Sequence, residues 1–463
     1  MFNKVKGTID YDFSRESVKN QMYEKFRKIV VNAGYRMVET PILESASLFK
    51  RAVENSEIAN KEMYEFLDKG DRSIVLRPEG TASFVRAYVE NKWFSYAAQF
   101  QKFAYFGPMF RYEQPQKGRY RQFYQAGIEF IGEKDPYKDF EVIKLAHEFL
   151  YNYRKGLSVS LKINSIGDKD SRENYEKALY DFLIQHKSEL SENSQQRLKD
   201  KKVLRILDDK VDSKLEFMKK APRISDYLSQ ESSDYFNSLI ELLNEQNIDF
   251  EIDLSLVRGL DYYDEIVFEF EMQNKKSAKS AVIGGGRYSN LIAEIGGPQV
   301  SSIGFGIGID RIIDILQDDQ TFYKKLSSYE RECSFYISFE DEKNKNALFN
   351  LYIDLHVFMA NVESINYADS NVRYPIIFEY SKKKKNKAFD IVKKINPMFW
   401  IYDQGDFAVI HNLVNDKKTK INLNDETLED KELLYSAIDF LEVFQYKSEA
   451  LEEEKMSELD DEE

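Results

Sequence analysis

An arginine beside a glycine can bring its guanidinium up to a phosphate, and paired tyrosines offer ring faces and hydroxyls to a small polar ligand. Residues 256–263, LVRGLDYY, set Arg258, Gly259, Tyr262 and Tyr263 within eight positions, ahead of the apolar run IVFEF. The same octapeptide also suits an ordinary strand entering a sheet, with packed tyrosines and a solvated arginine; taken alone, its residues leave both readings open. Two other stretches are basic enough to meet a polyanion. Residues 111–121, RYEQPQKGRYR, hold four bases and one acid, and residues 381–394, SKKKKNKAFDIVKK, hold seven lysines and one aspartate. For a lysine run the commoner use is a solvated helix face. Spacing excludes other chemistries. Gly284–Gly286 and the GFGIG run match neither the dinucleotide fingerprint nor the P-loop. His147, His186, His356 and His411 lie far apart without ligand spacing, so they read as structural or surface residues and no metal cage is expected.

Composition narrows the class of molecule. The 463 residues have room for roughly three domains, and 42% hydrophobic content with 33 Phe and 30 Tyr can build a core. No apolar run approaches the ~20 residues of a membrane helix. The N-terminal MFNKVKGTIDYDF lacks the apolar core of a secretory signal, and the one cysteine, Cys333, allows neither an intramolecular disulfide nor a cysteine-based zinc site. A cytoplasmic enzyme is the expectation. The formal charge of −14 is misleading as a whole-chain figure, because residues 448–463 carry nine acids and one lysine and leave only −6 for the rest.

The elements that must position these residues follow from periodicity. Val18, Met22, Phe26, Ile29 and Val30 predict an amphipathic helix over 14–33, closed by Gly34. Pro41 interrupts the extended YRMVETPILE and points to an edge or an interface. Residues 102–113 and 122–132 predict an antiparallel pair around the basic loop, with Gln125, Gly127 and Glu129 on one face. From about 168 to 248 the pattern turns helical and charged. GGGRYSNLI is read as a turn, and Ile303, Phe305, Ile307 and Ile309 alternate with glycines as a strand whose other face admits something close to the backbone, before a helix from Asp310. Beyond about 326, CSFYISF, PIIFEY, MFWIYD and FAVIHNL predict strands separated by helical stretches.

One ordered set stands out: ETPILE (39–44), LRPEGTA (76–82), FRYEQPQKGRYRQFYQAGIEFIG (110–132), LVRGLDYY (256–263), GGGRY (284–288) and GFGIGIDR (304–311). Over residues 4–320 the set resembles the histidyl-tRNA synthetases, which are class II aminoacyl-tRNA synthetases. The first, third and last segments resemble class II motifs 1, 2 and 3, while LVRGLDYY and GGGRY resemble the two histidine-specific blocks. The resemblance implies an α+β fold: an antiparallel catalytic sheet of six strands flanked by helices over 1–325, with a helical insertion at about 168–248. It further implies an α/β anticodon-binding module over 326–447. Residues 448–463 form an acidic tail too poor in apolar residues to fold alone. A homodimer through the first motif is also implied.

The same resemblance implies the chemistry. L-Histidine and ATP form histidyl-adenylate, and the histidyl group passes to tRNA(His), with Mg²⁺ accompanying ATP. Arg111 would hold the α-phosphate and the amino-acid carboxylate, and Arg258 would reach the same phosphate from another side. Arg119 and Arg311 would bind toward the β and γ phosphates, with adenine between Phe123 and Arg311 and with Glu113 as an adenine-side acceptor. Glu129 and Tyr263 would bond the two imidazole nitrogens, with Arg258, Tyr262 and Tyr288 alongside. Glu79, Thr81 and Gln125 would take the α-amino group. Gln114, Gln116 and Lys117 are candidates for the tRNA acceptor end.

Departures from the family pattern are few. Tyr112, Gln114 and Tyr124 stand where His, Arg and His are usual, and Gln114 removes a positive charge from a loop that should meet tRNA. Asp310 replaces the usual glutamate. A competing reading is a non-catalytic, synthetase-like regulatory or RNA-binding subunit. Such subunits typically lack the arginine block and the C-terminal module, both of which are present here.

Overall fold

The computed structural model describes residues 2–52, 61–96, 101–154, 157–207, 209, 211–256, 262–274, 279–319, 323, 334–365 and 375–423. The expectations that fall on Arg258, Cys333 and the acidic tail lie outside these residues. The chain divides into two compact units, Met1–Leu326 and Ser327–Glu463.

In the first unit, helix α1 (Phe13–Asn32) starts where the Asp12 carboxylate accepts the Arg15 N–H at 2.9 Å, and its apolar face, Val18, Met22, Phe26, Ile29 and Val30, is buried. That face packs on a sheet whose strand order is β1-β5-β6-β11-β10-β9-β7-β8. The six central strands are β5 (Gln101–Phe110), β6 (Gln122–Ile131), β11 (Ser302–Gly308), β10 (Ser280–Tyr288), β9 (Asp264–Gln273) and β7 (Ser158–Gly167). All five pairings among them are antiparallel. Short strands β1 (Arg36–Met37) and β8 (Glu251–Ile252) add on parallel at the two edges. The expected antiparallel, helix-flanked sheet is thus present, with one strand more at each side.

Two local readings change. Residues 284–286, expected in a turn, lie inside β10, because both neighbours hydrogen-bond to that strand and Phe268 and Tyr263 occupy the room that side chains at Gly285 and Gly286 would need. The strand expected over 102–113 ends at Phe110, since the Tyr112 N–H leaves the ladder and bonds to the Glu62 carbonyl at 2.7 Å.

Helix α2 (Ala46–Ala52) and helix α3 (Thr81–Glu90) cover a small sheet, β2 (Leu43–Ser45), β4 (Ser73–Leu76) and β3 (Tyr64–Leu67), in the order β2-β4-β3. Helix α4 (Pro136–Tyr151) backs the main sheet. Helices α5 (Lys169–Gln185), α6 (Glu192–Lys199), α7 (Leu204–Leu207) and α8 (Gln230–Glu245) follow over the stretch read as helical. Leu179, Leu183, Leu198 and Ile206 form a separate small core there, while Leu239 and Leu243 of α8 return to the main one. Helix α9 (Leu291–Glu294) and helix α10 (Ile309–Leu316) complete the described helices of this unit, α10 following β11 directly.

The second unit carries a five-stranded sheet in the order β13-β12-β14-β15-β16. Its strands are β12 (Phe335–Ser338), β13 (Ile376–Phe378), β14 (Phe399–Gln404), β15 (Phe407–Asn412) and β16 (Lys418–Asn422). Helix α11 (Lys345–Ile365) and helix α12 (Lys385–Ile395) lie between strands, and Phe335, Ile337, Leu348, Leu355 and Ile401 are among its core residues. Strand β16 was not foreseen: in KTKIN only Ile421 is buried, so the hydrophobic pattern gives it no signal. No helix among the described residues is long and apolar enough to cross a membrane.

Candidate active site

The β5–β6 hairpin and α10 bring three arginines together. Arg111, just past β5, donates from Nε to the Pro78 carbonyl at 2.8 Å and rests its guanidinium 5.3 Å from the centre of the Phe123 ring. Arg119 leaves a turn closed by Gln116 and Arg119, in which Gly118 has φ +74°. Arg311, in the first turn of α10, donates from Nε to the Gly118 carbonyl at 3.4 Å and from Nη1 to the Ala281 carbonyl. Burial lowers the Arg311 pKa to about 10, and the Arg119 and Arg111 guanidinia push it the same way. Among the carboxylates, Glu113 lies 3.4 Å from Arg119 and 3.9 Å from Arg111, and Glu113 and Glu269 oppose the fall at Arg311. Like charges this close are unfavourable unless an anion joins them. The arrangement therefore suits a polyphosphate.

Behind the hairpin lies a buried polar cluster. Asp310 accepts from Tyr11 Oη, from Arg15 Nη2 at 2.7 Å and from the Tyr124 N–H at 2.7 Å. Asp314, one helical turn on, accepts from Arg15 Nη1 at 2.7 Å, the Gly118 N–H at 2.8 Å and the Tyr120 hydroxyl at 2.6 Å. Lys117 pairs with Asp318. The Gly7 carbonyl accepts the Arg121 N–H at 2.8 Å, so the segment before α1 also grips the hairpin. Gln114, Gln116 and Lys117 are exposed at its tip.

A second buried polar cluster is built on the neighbouring strands. Glu129 of β6 is 1% exposed; its Oε2 accepts from Tyr288 Oη at 2.6 Å, and Oε1 has no hydrogen-bond partner among the described residues. Burial, outweighing the Tyr288 hydroxyl, raises its pKa to about 8. Gln125 Oε1 is likewise buried without a partner. The glycine alternation of β11 now has its explanation. Side chains at Gly304 and Gly306 would collide with the carboxylate of Glu129 and the carboxamide of Gln125, which lie flat across the bare strand. Tyr262 packs at 4.7 Å from Tyr263 and 5.6 Å from Tyr288, ring centre to ring centre. Glu79 accepts the Thr81 and Ala82 N–H groups at 2.7 Å each at the start of α3, and its burial raises its pKa.

Every site residue named from sequence and lying within the described residues falls in one of these two groups or at the hairpin tip. Sequence reading missed three others. Tyr105 of β5 faces Gly127 across the hairpin, filling the space that side chains at Gly127 and Gly80 would take, and lies close to Glu79, Glu129 and Tyr263. Arg172 of α5 donates from Nη1 to the Tyr263 carbonyl at 3.2 Å, linking the insertion to the tyrosine block. Asp314 bonds the hairpin from α10. For Tyr105 a signal existed: a mid-strand glycine at 127 announces a large side chain crossing it.

Known proteins match along most of the chain. Residues 7–312 match the family described as histidyl-tRNA synthetase. The histidine–tRNA ligase of Mycoplasmopsis synoviae is 42% identical over 399 residues, spanning 85% of this chain and 78% of that protein. That of Acholeplasma laidlawii is 44% identical over 349 residues, 74% of this chain and 81% of that protein. The crystal structure of apo Staphylococcus aureus histidyl-tRNA synthetase superposes with a TM-score of 0.72 at 29% identity, covering 92% of this chain and 98% of that one. With the motifs in order, the sheet they occupy and similarity over both units, the chain belongs to the histidyl-tRNA synthetase family.

Proposed function

We propose that the protein ligates L-histidine to tRNA(His): the histidine carboxylate attacks the α-phosphorus of ATP, the bond to the β-phosphate breaks and pyrophosphate leaves with its electron pair. A ribose hydroxyl of the tRNA end then takes the histidyl group and AMP departs. The observation that carries this reading is the convergence of Arg111, Arg119 and Arg311 at one end of the hairpin whose second strand, β6, carries the buried Glu129. The attacking carboxylate is already ionised, so no base is required, and catalysis rests on alignment and on positive charge held where negative charge grows. Arg111 serves the α-phosphate and the histidine carboxylate; Arg119 and Arg311 serve the outer phosphates. Adenine lies against Phe123 and the Arg311 guanidinium, with Glu113 as its acceptor. Arg258 is assigned to the α-phosphate and the histidine carboxylate by its motif alone.

Glu129 and Tyr263 take the imidazole nitrogens, Tyr262 and Tyr288 enclose the ring, and Glu79, Thr81 and Gln125 take the ammonium. Buried acceptors left bare by an apolar ligand reject it by about 10⁴ or more, which suits a site that must refuse isosteres. Mg²⁺ bound with ATP would screen the phosphate charge; it needs few protein carboxylates, and of the two that act on Arg311, Glu269 would hold it while Glu113 serves adenine. Gln114, Gln116 and Lys117 meet the acceptor end, and the lysines of 382–394 add a weak contact to tRNA from the second unit, an α/β anticodon-binding module over 326–447. The protein works as a cytoplasmic homodimer. The regulatory-subunit reading is not favoured, because the relatives named as ligases match across most of the chain.

Histidine-dependent exchange of pyrophosphate into ATP is the direct test. Exchange that requires histidine and no other amino acid is expected; its absence from a folded preparation would return the chain to the regulatory reading.

A further inference from the structure

We propose that Asp314 is a positioning residue for ATP: through Gly118 and Tyr120 it fixes the turn that aims Arg119 at the outer phosphates. The proposal rests on the reading of Arg119 as a phosphate ligand. Asp310 and Asp314 stand about one helical turn apart on α10, Asp318 follows in the turn just past its end, and the three carboxylates take successive points of the hairpin. Asp310 holds the Tyr124 N–H, Asp314 holds the Tyr120 hydroxyl and the Gly118 N–H, and Asp318 holds the Lys117 ammonium. The hairpin is thus laid along α10.

At its tip, Gly118 sits at φ +74°, a conformation open to glycine, so rotation there would swing Arg119 away. Its N–H is pinned by Asp314, and its carbonyl more loosely by Arg311. The Arg119 side chain is itself 46% exposed and touches Glu113 only at 3.4 Å, so the backbone sets where it points. The two oxygens of Asp314 divide the work. Oδ1 meets Arg15 of α1, which supplies the counter-charge that a buried carboxylate requires, and Oδ2 meets the hairpin alone. Bonds of this charged kind are about twice as strong as neutral ones.

Pyrophosphate exchange on Arg119→Ala, Asp314→Ala and the double variant tests the proposal. Asp314→Ala should raise KM for ATP about tenfold or more and leave KM for histidine within about twofold, and in the Arg119→Ala background it should add almost nothing. A general loss of structure would instead raise both KM values or add fully to Arg119→Ala, and either result overturns the proposal. If Arg119→Ala raises KM for ATP and Asp314→Ala does not, the phosphate reading stands and the proposal alone falls. If Arg119→Ala has no effect on ATP, both fall. Should Asp314→Ala not fold, Tyr120→Phe removes one hydroxyl and keeps Arg15 paired. It should raise KM for ATP about threefold, again only while Arg119 is present; a wild-type ATP requirement for Tyr120→Phe counts against the proposal.

Discussion

Glu129 is a carboxyl that the fold keeps out of water and half unsatisfied, so its charge state links stability to ligand. Its pKa is raised from 4.5 to about 8. The folded chain therefore keeps a proton that the unfolded chain releases, and the contribution of this group to stability is full below 4.5 and fades as pH rises toward 8. Glu129→Gln should remove that slope: melting temperature, followed from about pH 5 to about pH 9, should fall less for the variant than for the wild type over this window. Parallel curves would mean that the carboxyl is better solvated than its burial implies. In exchange assays the same substitution should raise KM for histidine far more than KM for ATP, because it takes from the imidazole a carboxyl that can accept its hydrogen bond and its proton, and leaves the arginines alone. At this scale the sequence was legible where a motif named the residue. Tyr105, Arg172 and Asp314 went unread because their roles come from what stands opposite them in space, and that depends on sheet register and helix placement.

Elements turn these residues into a site. The glycine run of β10 continues into Arg287, which is 0% exposed and paired with Asp139 of α4, whose second oxygen takes the Tyr235 hydroxyl of α8 at 2.8 Å. This pair bolts β10 to two helices. Arg287→Leu should cost about 3–5 kcal/mol in denaturant unfolding, since it strands a buried carboxylate. A loss under about 1 kcal/mol would mean that the carboxylate takes up a proton or finds water. The long, strongly periodic elements α1, β5, β6 and β11 were readable from pattern alone. The run 284–286 was misread because glycine carries no hydrophobic signal, and turn and strand are then separated by neighbours distant in sequence. Strand β16 failed for a related reason: an edge strand with one buried side chain has almost no period to detect.

For the whole molecule, Leu43 of β2 and Phe66 of β3 are exposed on one face of the small sheet, at 53% and 44%, and Leu43 lies within the first motif. An apolar patch of this kind favours association, and we expect it to form the dimer contact. Phe66→Asp should shift sedimentation to the monomer mass; a dimer that persists would move the interface elsewhere. In the second unit, Lys382, Lys383, Lys384 and Lys385 lead into α12. Replacing all four with glutamine should flatten the salt dependence of tRNA binding by about one log–log unit for each phosphate that is no longer neutralised, with exchange untouched. An unaltered slope would reduce the run to a solvated face. The change to strands separated by helices beyond about 326 was readable locally, while pairing across the first unit was beyond any local pattern. Arg15 and Asp314 stand 299 residues apart in the chain. At about 5–20 residues per second, a ribosome needs about 15–60 s to travel between them. Throughout that interval Arg15 waits for Asp310 and Asp314, although α4 and β6 are already there for the apolar face of α1, so the seam that ties α1 and the hairpin to α10 is among the last parts to set, and folding factors have their longest opportunity there.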